Sequence, residues 1–379
     1  SSSSYAPAVL LFDVAGDYTQ TIFEGRPQGE ASILKLNTQL TKALYGEVSP
    51  CAKVTIIAPI TSHFIGKFAK APSLEEVAKQ YCESSIRPIA ERFVHGYEFL
   101  KCSVKDNVAE LCVKIGEREV SIRFVPYAFS FQDVKRQLGE ISPYFSEQGR
   151  RLLSKLIATL EIRQGITFQT LEQLTETLRG QDSRSLGNQT KIHSATIENV
   201  YRTLEMLSSS GMFDVVIGGR TLTEPSVSNL FEGGSLVIFD AYFMDAPVDV
   251  KGDSENVVTL RMLDRVFDWK MDAYRRKVDT PPTVIIVDEA HRFFPARRRE
   301  AYEQADYADL VSRKITTIAR LGRARRLGLV FATHSPEDVH TIILQLTNTK
   351  IFFRLDQAVV SRLDIPREEQ SQITRIADR

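Results

Sequence analysis

No run of apolar residues in this chain approaches the ~20 that a helix needs to cross a bilayer, so a helical membrane span is excluded. Cysteine is sparse. The four present, Cys51, Cys82, Cys102 and Cys112, have no C-x-x-C spacing and no neighbouring histidine set. That excludes a zinc ribbon or a redox pair and points to reduced, inert thiols in a cytoplasmic protein. Charge of one sign is not in excess: 48 Lys and Arg balance 48 Asp and Glu, so any nucleic-acid contact must come from local clustering. The aromatics are scattered and form no stacking platform for single strands. His291 has no second histidine at i+4, which favours a packed or hydrogen-bonded residue over a metal ligand. A glycine-rich phosphate loop is missing as well. No G-x-x-x-x-G-K-[ST] occurs, and the nearest approach, Ile65-Gly-Lys-Phe68, lacks the hydroxyl residue and the upstream glycine.

What is present centres on Thr283-Val-Ile-Ile-Val-Asp-Glu-Ala-His-Arg-Phe-Phe294. Four aliphatic residues in a row, Val284 to Val287, have no polar partner face, the pattern of a parallel strand covered on both sides. Asp288 and Glu289 follow at its C-terminal end, where open α/β sheets place their ligands. Two readings fit. In a Walker-type nucleoside triphosphatase the Asp holds Mg²⁺ through water and the Glu polarises the attacking water. Alternatively, the acids simply suit the positive end of a following helix.

At 379 residues the chain has room for two or three domains. Ala8 to Asp13 reads as another buried strand ending in an acid, with a turn after it. Asp13 and Asp17 there are read as structural, turning the strand's exit. Val54 to Ala58 is a third strand, and 108–125 a hairpin turning on Gly-Glu-Arg-Glu. From 131 to about 210 the spacing becomes helical: Leu152, Leu153, Leu156, Ile157 and Leu160 form one stripe, and Ile197, Val200, Tyr201, Leu204 and Leu207 another. Phe168, Leu171, Leu174 and Leu178 form a third, with Thr167 as N-cap. The polar stretch 180–196 reads as an exposed loop. Ser235 to Asp240, a helix over 256–277 and the central strand form a strand–helix–strand unit suited to parallel pairing. A basic helix over 308–326, a strand Gly328 to Thr333, a turn at His334, a helix to about 346 and a last strand, Lys350 to Arg354, complete the pattern.

Four blocks in this order carry a family resemblance: Phe12-Asp-Val-Ala-Gly-Asp-Tyr18, Val284-Ile-Ile-Val-Asp-Glu-Ala-His-Arg-Phe293, Ile318-Ala-Arg-Leu-Gly-Arg-Ala-Arg325 and Phe331-Ala-Thr-His-Ser-Pro-Glu-Asp-Val339. Together they resemble the HerA family of hexameric DNA translocases, relatives of the FtsK pumps. The resemblance runs from residue 8 to about 365. It implies a RecA-like α/β core with a mostly parallel sheet flanked by helices and an inserted helical bundle. Residues 1–130 are then the first part of the core, 131–212 the bundle, and 213–379 the second part of the core. It further implies ATP with Mg²⁺ as cofactors, Asp288 as metal carrier, Asp288 and Thr333 at the nucleotide, and Glu289 as the water-activating group. His334 stands where the family has glutamine at the end of its sensor strand. Implied partners are further copies of the chain in a hexamer, double-stranded DNA, and a nuclease (NurA-like) or other effector; no membrane is implied.

Arg320 and Arg323, three apart on one helix face, are candidates for a finger reaching a neighbour's γ-phosphate; the alternative is a solvated basic face. Arg297, Arg298 and Arg299 follow Pro295 in a loop and either meet DNA phosphates or are simply exposed. The expected activity is ATP-driven DNA translocation, with a non-hydrolysing ring scaffold as the rival. The missing phosphate loop is expected in residues preceding Ser1. Its strand would lie between Leu327–Thr333 and Lys350–Arg354, because leaving those apolar strands without a neighbour costs about 1–3 kcal/mol for each unsatisfied backbone group.

Overall fold

The computed structural model describes residues 6–16, 53–94, 96–296, 302–353, 355–361 and 366–375. Runs of β-branched and aromatic residues set its strands: β1 (Ala8–Asp13), β2 (Lys53–Pro59), β3 (Tyr97–Lys105), β4 (Val108–Ile115), β5 (Arg118–Tyr127), β6 (Val216–Ile217), β7 (Arg220–Thr221), β8 (Leu236–Asp240), β9 (Thr283–Val287) and β10 (Leu327–Phe331). β6 and β7 pair only with each other, and the other eight form one sheet in the order β10-β9-β1-β8-β2-β5-β4-β3. From β10 to β5 all neighbours run parallel; β4 and β3 are added antiparallel. This is the expected α/β class, a mostly parallel sheet flanked by helices.

The helices that matter here are α1 (Leu74–Tyr81), α2 (Arg87–Val94), α3 (Glu147–Gln164), α4 (Leu171–Arg179), α5 (Ser183–Thr190), α6 (Ser194–Ser209), α7 (Val248–Arg276), α8 (Ala290–Phe293), α9 (Tyr302–Gly322) and α10 (Thr341–Leu346). One sheet face, with Leu10, Phe12, Ile285 and Val287, packs on α7 and α9 and is continuous with the apolar stripes of α3, α4 and α6. The other face, with Leu11, Ile56 and Ile238, packs on α1 and on Ala90 of α2.

Several sequence expectations need correction. β8 and β9 do not pair; β1 lies between them, Phe12 opposite both Phe239 and Val287. β3 was not foreseen, because an exposed edge strand mixes charge into its apolar residues. The hairpin turn shrinks to Gly116 and Glu117, since Gly116 takes a positive φ of 61° and the strand resumes at Arg118. The polar stretch holds α5, whose N-cap Asp182 accepts from Ser185 N at 2.8 Å and which buries Leu186. Thr170, not Thr167, caps α4 by accepting from Gln173 N. Residues 351–353 form no strand, and Arg354 lies outside the described residues. β9 is covered on one face only: Ile285 and Val287 are buried, Val284 and Ile286 half-buried.

Candidate active site

β9 and β10 are parallel neighbours in register, Val287 opposite Phe331, so both leave the sheet at the same level. Two further backbone bonds keep the exits together: Ala332 N donates to Val287 O (2.9 Å) and Ala290 N to Ala332 O (2.8 Å). Asp288 and Glu289 are thereby set beside Thr333 and His334. Glu289 takes a left-handed conformation, φ 47°, uncommon for a residue with a side chain and a frequent mark of functional turns. His334 Nε2 lies 2.8 Å from Glu289 Oε1, and His291 Nδ1 lies 3.3 Å from Oε2. Thr333 Oγ1 donates to Ser335 O at 3.2 Å and sits 3.5 Å from His291 Nδ1.

A second layer fixes these exits. Arg292, on α8, pairs with Glu255 of α7 (2.5 Å) and donates to Val14 O just past β1 (3.4 Å). Burial pushes the Glu255 carboxyl up, and Arg292 opposes it. Asp13 accepts from Gly16 N at 2.7 Å, which closes the turn after β1 as expected. Across from it, in register, Asp240 is buried and accepts from Tyr81 Oη at 2.6 Å. Burial, reinforced by Asp13, pushes Asp240 up to about 6 against the opposing bond from Tyr81.

Beside the acids the sheet becomes progressively more exposed toward β10. Along one row of aligned residues, Ile238 is 0% exposed, Leu11 5%, Ile286 half-buried and Val330 46%. Among the described residues nothing pairs with the outer edge of β10. Ile351 and Phe353, 81% and 80% exposed, lie in the segment expected to form a strand. An uncovered apolar edge of this kind is a template for another strand.

The basic cluster separates into residues held by described partners and residues that are simply exposed. Lys314 is ion-paired with Asp264. Arg326 pairs with Asp279 at 3.0 Å, and Arg325 lies over the Tyr274 ring and donates to Leu321 O. Arg320, in the last turn of α9, and Arg323, in the short 3-10 turn after it, are both exposed. Arg297, Arg298, Arg299 and Asp17 lie outside the described residues. Lys67, from the sequence's nearest approach to a phosphate loop, is paired with Asp245 at 3.0 Å, and Gly66 ends a one-turn helix. That segment is not a phosphate cradle. Arg292 was not foreseen, although burial of Ala290 and Phe293 leaves it outside the core side of α8, whereas His291 has polar partners beside the site, in line with its reading as a packed or hydrogen-bonded residue.

Among the described residues no three His, Cys, Asp or Glu side chains gather to hold a metal ion. A single carboxylate at a strand end suits Mg²⁺, which keeps most of its waters and takes its other ligands from phosphate oxygens. Cys82 is buried, with its thiol pushed up to about 12 by burial, as an inert thiol should be.

No family model matches the chain. A curated relative, the probable DNA double-strand break repair helicase HerA of Methanocaldococcus jannaschii, is 33% identical over 90 residues. The resemblance is to ATPases of the HerA and FtsK kind. The match spans 23% of this chain and 16% of that relative. Among solved structures, VirB4 of Thermoanaerobacter pseudethanolicus is similar at a TM-score of 0.37 and 13% identity, over 98% of this chain and 84% of its own. The genome packaging NTPase B204 of Sulfolobus turreted icosahedral virus 2, in complex with AMP, is similar at 0.25 and 16% identity, over 40% of this chain and 62% of its own. Its complex with ATP-gammaS gives 0.27 at 16% identity, over 41% and 64%. Likenesses this loose carry no argument about function. No helix among the described residues is long and apolar enough to cross a membrane.

Proposed function

We propose that this chain is the catalytic core of an ATP-driven, ring-shaped motor on double-stranded DNA, of the HerA type. The observation that supports it best is the meeting of Asp288, Glu289, Thr333 and His334 at one end of the sheet, next to a strand edge that no described residue pairs. That edge and the half-covered face beside it suit one further strand with its helix, supplying the phosphate-binding loop from outside the described residues. Asp288 then holds Mg²⁺ through water, and the ion, when bound, offsets phosphate charge. Glu289 orients the attacking water and accepts its proton, Thr333 contacts nucleotide, and Arg320 or Arg323 of the adjacent subunit faces the γ-phosphate. The chain works as a cytoplasmic homohexamer with a nuclease or other effector. Residues 131–212 are an insertion in the core, and Arg297 to Arg299 meet DNA phosphates.

Rings mixed from Arg320→Ala,Arg323→Ala subunits and Glu289→Gln subunits test the shared site. Interfaces that pair an intact Glu289 with intact arginines then form by chance. Double-stranded DNA is expected to stimulate ATP turnover in the wild-type ring, and the mixed rings are expected to recover part of that turnover. Zero recovery in rings shown to be mixed contradicts the trans arrangement.

A further inference from the structure

Both oxygens of the Glu289 carboxylate face an imidazole nitrogen, one from each side. We infer that His334 and His291 are positioning residues that clamp this carboxylate, with His334 the exchangeable half. The inference rests on the reading that Glu289 activates water, but the clamp itself is tested separately below.

A glutamate leaving a strand end has three side-chain torsions to fix, and a catalytic group has to be held within a fraction of an ångström of its working position. The backbone fixes only the first part of Glu289, through its left-handed conformation and the Ala290–Ala332 bond. The rest falls to the two rings, whose centroids are 6.0 Å apart and inclined at 45°. Their supports are unequal. His291 sits on α8, where its neighbour Arg292 is tied to Glu255 and Val14 O, so the backbone carrying this ring is held in place. His334 sits on the turn after β10 with its side chain 81% exposed and its Nε2 2.8 Å from Glu289 Oε1. It can swing away without disturbing anything buried.

Each neutral imidazole carries one N–H. With these nitrogens nearest the carboxylate, the clamp requires opposite tautomers: His334 protonated on Nε2, and His291 on Nδ1. An ionised carboxylate offers about four lone-pair positions. Two imidazole donors leave the others for a water, so the clamp orients Glu289 without blocking it. A glutamine at 334 retains an N–H donor; an alanine does not.

The chain has six histidines, few enough for selective ¹⁵N labelling of the imidazoles in the full chain. At about pH 8, where unperturbed histidine is neutral, His291 is expected as the Nδ1–H tautomer and His334 as Nε2–H. Glu289→Ala is expected to shift both rings and return His291 to an Nδ1/Nε2 mixture. Two Nε2–H rings, unmoved by Glu289→Ala, overturn the clamp. In the ATP-hydrolysing protein, His334→Ala is expected to lower kcat about tenfold with KM within about twofold, the loss of one charge-assisted hydrogen bond. His334→Gln is expected to restore kcat to within about threefold of wild type. A rise in KM with unchanged kcat makes His334 a nucleotide contact and overturns its positioning role. If the wild type hydrolyses no ATP, the tautomers still decide the clamp, and only the hydrolytic reading fails.

Discussion

Among single residues, Asp240 makes the clearest statement about stability. Its folded pKa, pushed up to about 6, lies above the ordinary aspartate value of 3.8. The folded protein therefore holds this proton to higher pH than the unfolded chain does. Stability from this group is complete below about pH 4 and falls as pH rises from about 4 to 6, where only the unfolded chain has released its proton. Above that window its contribution is flat. Asp240→Asn keeps a carbonyl acceptor for the Tyr81 hydroxyl and cannot ionise. The variant is expected to lose the decline between pH 4 and 6, read as the difference between its unfolding curve and that of wild type at each pH. Parallel pH dependence in the two proteins would assign the proton elsewhere.

At the level of elements, the strands near the site are legible because aliphatic runs end in an acid or a turn: Ala8 to Asp13, Leu236 to Asp240 and Thr283 to Val287 all read directly as strands. The placement of Glu289 and His334 together was less legible. It depends on β9 and β10 being neighbours in one register, which no local pattern encodes. β3 and α5 escaped because their burial is shallow, α5 resting on a cap and few apolar residues. The run Lys350-Ile-Phe-Phe353 has strand composition but no strand, and the reason is physical: a strand forms only with a partner, and no described residue supplies one. This yields a prediction for β10. Val330→Lys is expected to be neutral in the 379-residue chain, within about 0.5 kcal/mol, as for other exposed positions. In the nucleotide-binding protein of the proposed function, the same change is expected to weaken nucleotide binding about tenfold, because a cation would then enter a covered face. Equal nucleotide affinity for both proteins, measured by titration, contradicts an occupied edge.

For the whole molecule, the exposure gradient from Ile238 to Val330 and the exposed Arg320 and Arg323 have one account under the proposed function. In that account, a phosphate-binding unit would complete the sheet beside β10, and a ring would bring an arginine from the next subunit. All of this depends on the acid pair after β9 being hydrolytic. The most direct measurement is ATP turnover, with Mg²⁺, comparing wild type with Glu289→Gln. The amide cannot take a proton from the attacking water, so turnover is expected to fall at least about a hundredfold, while nucleotide affinity and ring assembly persist. Turnover by Glu289→Gln within about twofold of wild type would contradict the assignment of the site.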